Sequence, residues 1–199
     1  ATLQTLPSVV VVDATPEPPD LDDVERTLRY PDVSVVLDLS SMPLDAKCAY
    51  VRKLLLRLCD LRRRTGLPHR IVLDEAHYFL HDSSAELLDF DLGGYTLVTW
   101  HASQLQREAL SSAETIIVTR VSDPDEAKAL FALRGEGDDL EDWCDRLASL
   151  DRQYAALLPA PGEGSEGLTR FRVSARLTEH VRHLQKYLSR RAPEGQAFV

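Results

Sequence analysis

The chain has 199 residues, 44% hydrophobic and 28% charged, with a net charge of −9 at pH 7. That length and balance suit one soluble domain with a sizeable core, and the acidic surplus speaks against a surface built wholly for nucleic acid. No apolar stretch approaches the roughly 20 residues that span a bilayer, the opening ATLQTLPSVV lacks a basic segment ahead of a long apolar one, and Cys48, Cys59 and Cys144 form no CxxC pair. The expectation is a cytoplasmic protein without a membrane partner, secretory leader, disulfide framework or zinc knuckle.

Short β-branched runs alternate with helical patterns, which predicts βαβ units around a largely parallel sheet. Strands are expected at Val9 to Asp13, Val33 to Leu39, Arg70 to Asp74, Tyr95 to Thr99 and Thr115 to Arg120. Nearly all of their residues are apolar, which predicts helices over both faces. The longest helix is expected from about Pro43 to Arg64, where Leu44, Cys48, Val51, Leu55 and Leu58 recur at spacings of four and three and lay one stripe on the sheet. Pro43 near its first turn and Gly66 just past its end match the preferences of helix boundaries. A shorter helix opens at Asp123, with Pro124 at its first position, and runs to Leu133; another spans Leu140 to Leu150. Gln153 to Leu158 and Arg170 to Ser174 read as a hairpin around the loop PAPGEGSEG. A tail helix from Thr178 to Arg190 follows, with Leu177, Val181, Leu184 and Leu188 as its buried stripe. The expectation is a single α/β unit over 1–199, with the core strands and helices in 1–122 and the remaining helices, hairpin and basic tail helix in 123–199.

The stretch HRIVLDEAHYFL, residues 69–80, raises the chemical question, because an apolar run ends directly in Asp74 and Glu75. An isolated carboxylate is costly to bury, so a pair at a strand tip faces a metal, a base or solvent. In a nucleotide-hydrolysis site the first acid holds Mg²⁺ through water and the second polarises the attacking water, since phosphoryl transfer depends on positioning and charge neutralisation. The structural alternative is that both acids cap a helix starting near Ala76, at the positive end of its dipole. The letters DEAH alone leave both open.

The longer stretch PPDLDDVERTLRYPDVSVVLDLSSMPLDAKCAYVRKLLLRLCDLRRRTGLPHRIVLDEAHYFL resembles the segment leading into and through the Walker B strand of HerA/FtsK-like P-loop ATPases, especially bacterial members with an RTGRPHW-type sequence before DEAHH. Arg64-Thr65-Gly66-Leu67-Pro68-His69 stands at that place, with Leu67 where arginine is commoner. GGYTLVTWHASQL is similar to the family's next strand and polar sensor, and RLTEHVRHLQKYL to a basic motif near the end of the same domain. The resemblance implies a three-layer, mostly parallel RecA/HerA-like fold with ATP and Mg²⁺ as cofactors. It implies that Asp74 is the Walker B acid, holding magnesium through water, and that Glu75 activates the attacking water. Thr99 and His101 fall at the polar sensor near the γ-phosphate, while Trp100 and Ala102 depart from the commoner letters there. Arg120, ending TIIVTR, is the candidate arginine that reaches a neighbouring subunit's nucleotide, with a plain surface arginine as its alternative. The implied assembly is a homo-oligomeric ring that translocates DNA.

No glycine in the sequence opens a GxxxxGK[ST] motif, whose backbone amides and lysine cradle the phosphates. The expectation is therefore the C-terminal part of an ATPase core, truncated at its N-terminus, whose first strand and P-loop lie upstream. Such a fragment is expected to be inactive by itself and, with sheet edges and apolar faces uncovered, to self-associate. A degenerate, non-hydrolysing relative is the other account.

Further readings fit less of the sequence. DEAH also names a motif of superfamily 2 helicases, but their Ser-Ala-Thr motif and arginine-rich final motif are missing. His77 and His81, four apart, have a spacing that chelates zinc with Asp74 or Asp82, yet the glutamate of HExxH is missing between them; His77 is expected beside the carboxylates and His81 in solvent. The non-enzymatic reading is an assembly or nucleic-acid-interaction module with vestigial acids. Two basic stripes serve either view or are merely solvated faces: Arg52, Lys53, Arg57, Arg62, Arg63 and Arg64, and Arg170, Arg172, Arg176, Arg182, Lys186, Arg190 and Arg191.

Overall fold

Two parallel strand pairs carry the N-terminal half of the molecule. The computed structural model describes residues 8–15, 17–81, 87–133, 139–158 and 168–174. Strand β1 (Val9–Asp13) pairs with β2 (Ser34–Asp38), Val9 opposite Ser34 and Asp13 opposite Asp38. They are joined through α1 (Leu21–Leu28), which the sequence pattern does not predict; Asp20 caps it by accepting from the Asp22 amide, the usual way of satisfying a free helix N–H. Helix α2 (Leu44–Thr65) follows and stops at Gly66, whose φ of 67° and N–H to Arg62 O bond form a left-handed cap. Strand β3 (Ile71–Leu73) then pairs in parallel with β4 (Tyr95–Leu97).

The C-terminal half runs through α3 (Arg107–Ser111), β5 (Ile116–Val118), α4 (Pro124–Phe131), α5 (Leu140–Ala148), β6 (Tyr154–Leu158) and β7 (Thr169–Arg172). The expected Asp123–Pro124 helix start holds, with the Asp123 carboxylate accepting from the Asp125 amide. The expected hairpin holds as well, β6 and β7 being antiparallel.

Three expectations change. In place of one mostly parallel sheet, the described residues form two parallel pairs and an antiparallel sheet in the order β5-β6-β7, with no ladder joining the three. The antiparallel part arises because the chain returns through α4 and α5 to lay β6 against β5 in the opposite sense. The helix expected near Ala76 is a single 3-10 turn, Ala76–Tyr78. Finally, the strands are not covered on both faces: Val72 is 67% exposed and Ile117 61%, while their neighbours Leu73 and Val118 are buried. The expected hairpin loop, most of the tail helix, and Asp82 lie outside the described residues.

Two cores result. The first packs Tyr50, Val51 and Leu55 of α2 against Leu73, Ala76, Phe79, Leu80 and Leu105. Leu44, expected in the α2 stripe, is instead 48% exposed. The second gathers Val118, Ala127, Leu130, Trp143, Leu147 and Leu158. Its centre is Trp143, fully buried, whose indole N–H donates to Ala127 O at 3.0 Å and ties α5 to α4. Burying each such large apolar side chain contributes roughly 2–3 kcal/mol.

Candidate functional site

The acids sit where β3 stops. The ladder with β4 continues one step beyond the strands, Val98 N donating to Leu73 O and Ala76 N to Val98 O at 3.0 and 2.9 Å. Between these two bonds the chain turns, and Glu75 takes φ 54° and ψ 44°. A left-handed conformation costs a non-glycine residue about 1–2 kcal/mol, and such strain gathers at functional turns. Asp74 is exposed, and its Oδ1 accepts from the Glu75 amide at 3.1 Å. Glu75 makes no side-chain bond to the turn that follows, so it does not cap that turn.

Beside Glu75 lies His77, 4% exposed, with Nδ1 3.7 Å from Glu75 Oε2 and 3.0 Å from Thr99 Oγ1. Burial lowers the pKa of His77, and nearby His101 acts the same way against the opposing pull of Glu75 and Glu126. Its ordinary value of about 6.5 thus falls further, so the ring is neutral at pH 7 and the contact with Glu75 is not an ion pair. The Thr99 hydroxyl also accepts from the His101 amide at 3.0 Å. The His77 and His101 rings meet edge to face, with centroids 5.1 Å apart.

A residue absent from the sequence reading completes the cluster. Glu126, in the first turn of α4, is 7% exposed. Its carboxylate accepts from Ser103 N at 2.9 Å and Ser103 Oγ at 2.6 Å, and its Oε1 lies 3.2 Å from His101 Nδ1. Burial pushes this carboxyl up, but the Ser103 hydrogen bonds and His101 outweigh it and hold the pKa below its usual value. Glutamate at the third helical position commonly turns back to its own cap; here it turns outward to the β4 loop. The register of α4 carries the signal that finds it, since Glu126 stands four before Leu130 and beside Ala127 on the buried face.

The fold therefore brings Asp74, Glu75, Thr99 and His101 to two neighbouring strand tips. Arg120 is exposed two residues beyond β5, and its side chain makes no hydrogen bond or ion pair among the described residues. His81 is exposed, as expected. No group of three or more His, Cys, Asp or Glu side chains suited to a metal forms among the described residues; Asp82, a ligand candidate of the zinc reading, lies outside them. The α2 basic stripe is mostly internal wiring. Arg57 pairs with Asp22, Arg63 with Asp89, and Arg64 with Glu25 and Asp60. Arg62 is buried, donating to Leu92 O and Gly93 O with its guanidinium over the Tyr95 ring. On β7, Arg170 covers the Tyr154 ring and Arg172 donates to Gln153; the rest of that stripe lies outside the described residues. No helix among the described residues is long and apolar enough to cross a membrane.

No known family description matches the sequence, and no curated protein matches it. Solved structures do. The fold is similar to that of the genome packaging NTPase B204 from Sulfolobus turreted icosahedral virus 2 in complex with AMPPCP, at TM-score 0.56 and 15% identity over 83% of this chain and 74% of that one. The same protein in complex with ATP-gammaS matches at TM-score 0.54 and 14% identity over 83% and 82% of the two chains. Its complex with sulfate matches at 0.55 and 14% over 84% and 82%. At such identity the likeness is one of fold: the chain has a mixed α/β fold similar to that of this NTPase.

Proposed function

We propose that this chain carries the acid and sensor part of a HerA-like ATP-hydrolysing site. The supporting observation is the juxtaposition of Asp74 and Glu75 at the tip of β3 with Thr99 and His101 at the tip of the adjoining parallel strand β4. Ligands of open α/β sheets bind beyond the carboxyl ends of the strands, and this is where all four residues stand. Asp74, exposed and with one carboxylate oxygen committed to the Glu75 amide, suits a magnesium ion held through water. When bound, that ion neutralises phosphate charge.

In this reading Glu75 orients the water for in-line attack on the γ-phosphate. Its carboxylate is 42% exposed and has no hydrogen bond to give up before it holds that water. Neutral His77 packs beside it without cancelling its charge, and Thr99 and His101 line the neighbouring tip. No GxxxxGK[ST] motif stands in residues 1–199, so the reading requires a P-loop supplied from outside these residues. A DNA-translocating ring with Arg120 acting in trans extends the proposal. It draws on the HerA/FtsK resemblance and on the packaging role of the structurally similar NTPase.

The test compares ATP hydrolysis and magnesium-dependent nucleotide binding by the full-length gene product and its Glu75→Gln variant. Binding in both, with turnover only in the unmodified protein, is expected. A full-length protein that neither binds nor hydrolyses nucleotide sinks the proposal. That result favours the second reading, an assembly module with vestigial acids, whose supporting observation is the missing GxxxxGK[ST] motif.

A further inference from the structure

Glu126 lies on α4, within the second core, yet its bonds go to the loop that ends β4. Three contacts converge on its carboxylate: the Ser103 amide, the Ser103 hydroxyl, and the His101 ring through Nδ1. An ionised carboxylate only accepts hydrogen bonds. The ring nitrogen facing it at 3.2 Å therefore carries a hydrogen, and a neutral His101 is left with Nε2 as its bare, accepting nitrogen. From His101 the contacts continue. Its amide donates to Thr99 Oγ1, Thr99 Oγ1 meets His77 Nδ1, and His77 stands beside Glu75. Second-sphere carboxylates that fix a histidine tautomer commonly orient a site without touching its ligand.

We infer that Glu126 is a positioning residue: it fixes His101 in the Nδ1–H tautomer, presents Nε2 to the site at the β3 and β4 tips, and couples α4 to Glu75. The role assigned to His101 rests on the proposed nucleotide site, whereas the tautomer does not. Glu126 serves the second core at the same time, because its helix is held there by Ala127 and Leu130. A displacement of α4 thus moves Ser103 and His101 directly, and the Thr99–His77–Glu75 contacts through them. Coupling of this kind changes the linked step by roughly 2- to 30-fold.

The experiment reads the imidazole nitrogens of histidine-labelled full-length protein by long-range ¹H–¹⁵N NMR, together with steady-state kinetics. In the unmodified protein His101 should show the Nδ1–H tautomer; an Nε2–H tautomer there overturns the proposal without any variant. Glu126→Gln keeps the volume but replaces one acceptor oxygen with a donor, so it cannot satisfy Ser103 and His101 together. It should shift the His101 tautomer balance at least about tenfold toward Nε2–H, perturb the His77 signals, and lower kcat about tenfold with KM within about twofold. Glu126→Asp should recover part of the loss, and Asp125→Asn, on the same turn but exposed, should change nothing. A His101 tautomer unaltered by Glu126→Gln overturns the positioning role. An unmodified protein with the Nδ1–H tautomer but no turnover instead refutes the hydrolysis reading and leaves the positioning role standing.

Discussion

The fold treats its two glutamates in opposite ways. Glu75 sits in left-handed backbone with its side chain 42% exposed, and its carboxylate accepts no hydrogen bond among the described residues. Glu126 sits in a capped helix, 7% exposed, with three donors around its carboxylate. A carboxylate with complete partners is a stabilising fixture. One left strained and unpartnered costs stability and remains open to water or a ligand. The contrast fits the proposed roles, in which Glu75 acts and Glu126 holds.

The largest effect expected from breaking this contrast is catalytic. Glu75→Gln should lower nucleotide turnover by the full-length protein at least about 100-fold, while the melting temperature measured calorimetrically hardly moves. A large loss of stability would show that Glu75 is held after all. Next comes the helix pair behind Glu126. Trp143→Ala should destabilise by about 3–5 kcal/mol in urea titrations, because it empties the second core and removes the indole bond to Ala127 O. Removing the Glu126 acceptor should cost roughly 1.5–3 kcal/mol at pH 7, and its pH dependence has a definite sign. The folded pKa lies below the ordinary carboxylate value, so the stabilisation is fully present above that value and is lost as pH falls through the folded pKa. The gap in unfolding free energy between wild type and Glu126→Gln should therefore close on acidification from pH 7; a gap that widens contradicts the assignment. Glu75→Asn, better suited to left-handed backbone, should gain about 0.5–1 kcal/mol while losing activity. Val72→Thr should stay within about 0.5 kcal/mol, since that side chain is 67% exposed; a larger loss would show that face to be covered.

The sequence makes legible what depends on local pattern. The α2 stripe and its Gly66 stop, the Asp123–Pro124 helix start, the hairpin, and the position of Asp74 and Glu75 at a strand tip all follow from periodicity and end signals. What escapes depends on tertiary partners. Helices α1 and α3 are short, and α1 is fastened by Arg57 and Arg64 reaching across from α2. The run after Glu75 reads as helical but stops after one 3-10 turn, where the Leu80 carbonyl is taken by the Gln106 amide. Glu126 reads as one of several acids favouring a helix start, and only the helix register, which sets it four before Leu130, separates it from Asp125, which faces solvent. Pairing sense was likewise open, because an apolar run such as β5 serves parallel and antiparallel ladders equally.

The two bonds that Val98 makes on either side of the acids have a consequence in time as well as in space. Val98 holds both Leu73 and Ala76, so the turn bearing Glu75 is braced by a residue synthesised well after it. Without β4 that turn has no template, and its acids are expected in ordinary, unstrained conformations. The local strain is imposed when the later strand docks, so the acid turn should be among the last elements to mature and among the first to relax when β4 lets go.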